Sequence, residues 1–241
     1  MLGIIWNTII KAPIVTTLLW LTNLTGSAGI AIILLTVIIQ VIFIPLRVPS
    51  IKSSLKMKKI KPELDKLKDT HKGDKMAQGQ AQMDLYKKHG INPWGGILPL
   101  LLSLPILIAL YQVIMTTLVS VEGLPTTFLW LDVTKADPFY ILPLLVAGSQ
   151  FLSMKQLTST PQTTAVEQKL EKKDGSGVDM AQQMQTQMMY LMPAMTGFIT
   201  LTLPAGVGLY WITSVLFAII QQKFVQEKFY AEAEQTQQHG S

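Results

Sequence analysis

Cysteine is absent from the 241 residues, which excludes disulfides and a lipobox cysteine at a lipoprotein cleavage site. Histidine is scarce. His71, His89 and His239 stand apart among polar residues, and no HExxH spacing offers zinc ligands. No GxxxxGK[ST] run is present to cradle phosphates, and no Ser–His or paired-Asp arrangement lies in an apolar segment. The residues thus point to no cofactor, no metal and no enzyme chemistry. Charge is thin too, at 15% of residues, against about 25% in soluble domains.

Apolar residues fill the space, at 49% of the chain. They fall into five blocks, Ala28–Leu46, Ile97–Val119, Phe139–Met154, Met188–Leu203 and Ala205–Phe224. Each approaches the roughly 20 helical residues that a bilayer core of about 30 Å demands. Helices are the expected form, because lipid cannot satisfy open backbone groups. The third and fourth blocks are short, and Pro204 between the last two reads as a tight hairpin.

Basic residues set the direction. Arg47–Lys88 holds twelve Lys/Arg against five Asp/Glu, whereas Ser120–Pro138 holds Lys135 against Glu122, Asp132 and Asp137. The positive-inside rule then puts the N-terminus outside and the C-terminus in the cytoplasm of a multi-pass protein. The expected order is an outer interfacial amphipathic helix over 1–25, a first span over 26–47, a basic cytoplasmic hairpin over 48–91 and a second span over 92–120. An outer loop over 121–138 leads to a third span over 139–157 and a cytoplasmic loop over 158–187. A fourth span over 188–203, a fifth over 204–224 and a cytoplasmic tail over 225–241 complete it. In the first segment, Trp6 and Trp20 are the expected interfacial anchors.

Within the basic hairpin, Ile51, Leu55, Ile60, Leu64 and Leu67 recur at near-helical spacing over Ser50–Thr70. "HKGDK" supplies a turn, and Met76–His89 reads as a second helix. Lys52, Lys56, Lys58, Lys59 and Lys61 either only fix topology or form a face for anionic lipid or a partner. Each basic residue near such a surface contributes about 1 kcal/mol. Thr158–Asp179 reads as a loop with a short helix near Ala165–Lys172. Met184, Met188, Met192 and Met195 trace one helical stripe, either ordinary packing or a surface that adapts to varied apolar partners.

"FIPL", "KIKPELDKLKD", "YKKHGINPWGGILPLLLSLPILIALY", "DPFYILPLL" and "LPAGVGLYWITSVLFAIIQQ" occur in that order between about Ile4 and Lys223. Together they resemble the YidC membrane-protein insertase family in its compact form, without a large outer domain. The resemblance implies an all-α integral membrane protein of five helices around a hydrophilic groove, in the bacterial plasma (inner) membrane. It implies insertion without nucleotide hydrolysis: a substrate's polar segment enters the groove while its apolar segment slides past the third and fifth spans into lipid. Nascent membrane proteins and the bilayer would be partners, and the Sec translocon and ribosome are further candidates. No specific nucleic acid is expected, since the tail from Val225 carries one Lys against three Glu.

The family typically has a groove arginine five residues before the proline that ends the first span. Counting back from Pro45 lands on Gln40, a departure from that pattern. A glutamine there needs polar partners, from water in a groove or a neighbouring side chain, but lacks charge to attract acidic tails. It could equally be an interhelical hydrogen bond. The other groove candidates are Thr36, Gln112, Gln150, Thr196, Thr200, Tyr210, Trp211 and Ser214. By the resemblance, Thr36, Tyr210 and Trp211 match groove-facing positions. A small transporter or channel is the alternative; it would call for inverted repeats or paired ionisable residues in the spans. Neither is found in the sequence.

Overall fold

The computed structural model describes residues 2–71, 73–92, 98–158 and 190–238. The chain divides into two compact units, Met1–Gln40 with Ile106–Ile219, and Val41–Pro105 with Ile220–Ser241. Among the described residues, nearly all the regular structure is helical.

In the first unit, α1 (Leu2–Ile5) leads through a π-helical turn (Trp6–Lys11) into α2 (Ala12–Thr25). Pro13 sits where the π-helical turn passes into α2. Gly26, at φ 68°, ends the helix and donates its N–H to Thr22 O at 2.9 Å. Ile14, Leu18, Leu21 and Thr22 form the buried face, while Trp20 is exposed. Next comes α3 (Ala28–Ile42), apolar nearly throughout. Further on are α7 (Leu98–Val113), of which this unit holds the part from Ile106, a π-helical stretch (Ile114–Leu118), α8 (Ile141–Thr158), α9 (190–200) and α10 (Ala205–Gln238), of which it holds the part to Ile219.

The segment between the π stretch and α8 departs from the all-α expectation. β1 (Thr127–Phe128) pairs antiparallel with β2 (Leu131–Asp132), turning at Leu129 with φ 56°. This short hairpin belongs to a clasp over the helix ends. Ala28 N–H donates to Pro125 O at 2.9 Å, Ala205 N–H to Lys135 O at 2.7 Å, and Gly206 N–H to Val133 O at 2.9 Å. First-turn N–H groups have no partner inside their own helix, so the loop carbonyls satisfy them. The start of α8 is held by Asp137, 4% exposed, whose carboxylate accepts from Phe139 N, Leu142 N and Trp130 Nε1.

Beneath the clasp the first unit is apolar. Ala31, Ile32 and Leu35 of α3, Leu110 and Val113 of α7, Leu142 and Val146 of α8, and Val207 of α10 are buried. Close approach depends on glycine. A Cβ on Gly206 would lie 2.8 Å from Ile114 Cδ1 and 2.9 Å from both Ile32 Cδ1 and Val133 O. One on Gly208 would lie 2.6 Å from Leu142 Cδ2. Further along, Phe151 of α8 stacks on Tyr190 of α9 with ring centroids 5.7 Å apart.

In the second unit, α4 (Ile44–Lys59), α5 (Lys61–Thr70) and α6 (Lys75–Lys88) follow one another. The expected single helix over Ser50–Thr70 is broken at Ile60, ahead of Pro62; Pro45 and Pro62 sit in the first turns of α4 and α5. The first apolar block does not run on as one helix to Leu46 either, since it breaks at Phe43. Asp74 caps α6 by accepting from Met76 N and Ala77 N, both at 3.0 Å. Ile60, Tyr86 and Ile91 form a small core with Met57, Leu64 and Leu85 around it. Ser53 Oγ bonds both the carbonyl (3.1 Å) and the N–H (3.0 Å) of Asn92.

Among the described residues, Ala205–Ala231 is long and apolar enough to cross a bilayer, and α3 with α4 passes the same test if taken as one broken span. Ser103–Leu118 is apolar but shorter. At 34 residues, or about 51 Å of rise, α10 outruns the roughly 20 residues that a bilayer needs. The tail expected after Phe224 is therefore helical to Gln238. The loop over 159–187, Met184 and Met188 lie outside the described residues, as do Pro93–Ile97.

Candidate functional site

Polar side chains in the helices of the first unit sort by distance from the clasp. Thr200, Thr196 and Thr36 have their one hydroxyl hydrogen engaged: it is donated to Thr196 O (2.6 Å), Met192 O (2.8 Å) and Ile32 O (2.6 Å), respectively. Each bonds the preceding turn of its own helix and so reaches no neighbour. Tyr210 is buried, with Trp211 beside it half-buried.

Farther from the clasp the pattern changes. Gln40 is 1% exposed and its Oε1 meets no donor. Ser214 Oγ is likewise buried without a partner. So is Oε1 of Gln156, whose Nε2 donates to Ile219 O on α10 at 3.3 Å. Counted from the clasped helix starts, these residues lie about 18, 13 and 22 Å along their helices at 1.5 Å per residue. On α3, α8 and α10 of the first unit the unsatisfied polar atoms thus lie away from the clasp, whose own margin holds one more, Ser27 Oγ. A buried amide or hydroxyl without a partner costs about 1–3 kcal/mol, so such a layer calls for water or a polar ligand.

Sequence reasoning singled out Gln40 and Ser214 but not Gln156. Gln156 falls inside the expected third span over 139–157, but its contact with α10 joins residues 63 apart and leaves no local signal. Gln112 has a different place from the one expected. Its Oε1 accepts from Trp6 Nε1 at 3.1 Å, across 106 residues. That bond ties the N-terminal segment to α7, and it turns Trp6 toward the protein rather than leaving it as a free surface anchor. Gln150 is half-buried on α8.

The lysines of the second unit are not a uniform solvated fringe. Lys52, Lys56 and Lys58 are half-buried, and Lys59 and Lys61 exposed. Burial pushes the Lys58 ammonium below its ordinary pKa. Lys59 Nζ stands 4.8 Å from the Phe229 ring centroid and 5.4 Å from that of Tyr230, which joins α4 to the far end of α10. Of the methionine stripe, Met192 and Met195 are exposed. Met195, with Ala194, Phe198 and Ile199, lines a shallow apolar depression of about 350 Å³.

In the clasp, burial raises the Asp132 carboxyl, but hydrogen bonds from Thr134 and Lys135 outweigh it and hold the pKa below its usual value. A depressed folded pKa gives stability that is present above the unfolded pKa and lost as pH falls through the folded one. Protection of the amides over Thr126–Lys135, taken relative to the intrinsic exchange rate at each pH, is therefore expected to fall in acid, and Asp132→Asn to flatten that pH dependence. Equal acid sensitivity in the variant would refute the assignment.

Residues 20–233 match a family model described as 60Kd inner membrane protein. A relative from Fusobacterium nucleatum named "Membrane protein insertase YidC" is 37% identical over 203 residues, 84% of this chain and 88% of its own length. Relatives of the same name from Magnetococcus marinus and Geobacter sulfurreducens are 35% identical over 225 and 222 residues. This chain spans 36% and 38% of their respective lengths. A crystal structure titled "Active YidC insertase crystal structure with the first transmembrane domain resolved" is similar in fold at a TM-score of 0.62 and 24% identity. It covers 89% of this chain, and the match takes in 46% of that one.

Proposed function

Because the chain belongs to the YidC membrane-protein insertase family, we propose that it inserts nascent membrane proteins. Short polar segments enter a hydrated groove, and their apolar helices pass into lipid without nucleotide hydrolysis. One observation carries this reading: α3, α8 and α10 each hold a buried polar atom without a partner, at Gln40, Gln156 and Ser214, at a distance from the clasped helix starts. With the basic-poor 121–138 loop taken as the outer side, the clasp faces outward and the polar layer lies toward the cytoplasm. Five spans, a face of Lys52, Lys56, Lys58, Lys59 and Lys61 for anionic lipid or a partner, and an adaptable stripe of Met184, Met188, Met192 and Met195 are part of this proposal.

The physics needs no covalent step. A charged side chain at the bilayer centre costs at least about 2.5–3.5 kcal/mol, and a polar notch shortens the dry path it must cross. Short helices help by thinning the bilayer around them. The substrate's own apolar helix supplies the downhill free energy as it enters lipid. A packed clasp end speaks against a continuous pore.

Two experiments test the reading. In a bacterial host depleted of its own insertase, this chain should restore growth and insertion of a short-tailed test substrate; failure of both rejects the proposal. At Gln40, leucine should lower insertion by about an order of magnitude, the equivalent of one buried polar contact, with the fold retained. Gln40→Arg should favour acidic tails. Wild-type insertion by Gln40→Leu would reduce Gln40 to interhelical packing.

A further inference from the structure

The open atoms of the polar layer lie in the helices of the first unit. Gln40 Oε1, Gln156 Oε1 and Ser214 Oγ lack partners there, while Ser27 Oγ lacks one at the clasp margin and Gln221 Nε2 lacks one in the second unit. Gln156 decides the chemistry, because its orientation is fixed. Its Nε2 donates to Ile219 O, and a carbonyl only accepts, so the amide cannot be turned about and its oxygen is the free end. No bond orients the Gln40 amide, so it can turn either end to the layer, and the Ser214 hydroxyl serves either way. No Asp or Glu lies in 28–42, 98–118, 141–158, 190–200 or 205–219, so these acceptors are neutral dipoles rather than charges.

We propose that this layer selects substrate segments by the hydrogens they donate, taking tails rich in Asn, Gln or Lys and open backbone N–H groups ahead of tails rich in Asp or Glu. An ionised carboxylate brings only lone pairs to a site that already has lone pairs to satisfy, and in a low-dielectric setting that opposition is not screened. An amide or ammonium brings the missing donor. The proposal rests on the insertase reading and adds the chemical class of segment that the groove admits.

The test uses the full chain in lipid vesicles at zero membrane potential. A single-span substrate carries one short translocated tail in three versions, with Asp/Glu, Asn/Gln or Lys at the same positions. Insertion is read as protease protection, relative to protein-free vesicles. The Asn/Gln and Lys tails should exceed the Asp/Glu tail by about fivefold, the factor carried by one net hydrogen bond. Gln156→Met should remove that advantage, and Gln156→Lys should reverse it toward the acidic tail. Equal or better insertion of the acidic tail by the unmodified chain overturns the proposal, whatever the variants do. So does an equal loss for all three tails in a folded Gln156→Met. Should no tail exceed the protein-free level, the insertase reading itself fails, a result distinct from insertion without preference.

Discussion

Asp137→Ala should destabilise the protein by about 3 kcal/mol, the largest loss expected from any single side chain in the clasp. Three donors converge on this carboxylate: Leu142 N at 2.6 Å, Phe139 N at 3.0 Å and Trp130 Nε1 at 3.2 Å. At 4% exposure, water reaches the site poorly, so alanine would strand the donors rather than return them to solvent. The first-turn N–H of α8 also loses the negative charge that its end of the helix dipole favours. For a chain of this size the loss corresponds to a drop of roughly 6–12 °C in unfolding midpoint. Asp137→Asn keeps one acceptor and should lose less than alanine does. Thermal unfolding in detergent, with proteolysis of the 121–138 loop as a local probe, reads both variants. An Asp137→Ala midpoint within a degree of the parent would mean that the donors find other partners, and the clasp would lose its anchor.

What the sequence displays and what it hides follow from how local each cause is. Helix over apolar blocks is a local matter of composition and period, so the helical segments of α3, α8 and α10 are legible, as is the family. Gln40 stands out for the same reason: an amide in an unbroken apolar run is conspicuous. Breaks are harder. A run such as "VIIQVIFIPL" stays apolar through Phe43, and only Pro45 hints that the helix restarts there. Pro62 likewise marks Ile60 after the fact. Tertiary partners leave no trace at all. Trp6 meets Gln112 across 106 residues, and Gln156 reaches Ile219 across 63. Asp137 reads in sequence as one more outer charge. Its value as a cap depends on how the loop folds back over α8.

Gly206→Val should open the clasp end, at a cost of about 3 kcal/mol or more. The site is crowded from three sides by Ile114, Ile32 and Val133 O, each within 3 Å of where a Cβ would stand. The two isoleucine methyl ends can swing away, but Val133 O is backbone. It also accepts the Gly206 N–H at 2.9 Å, so retreat of the loop breaks the bond that fastens it. Overpacking a core typically costs about 1–3 kcal/mol; alanine should fall in that range, and a branched side chain beyond it. The bond between loop and helix should fail before the helices part, because it is the smaller of the two contacts. Gly206→Val should therefore combine a lowered unfolding midpoint with faster amide exchange at Ala205, Gly206 and the 133–135 turn. In sealed vesicles it should also raise ion leak above that of the parent chain. Such a leak follows only if the glycine contact lies between the polar layer and the far solvent. A destabilised but tight variant would place the barrier elsewhere along the helices, and a parental midpoint would show that the contact yields without strain.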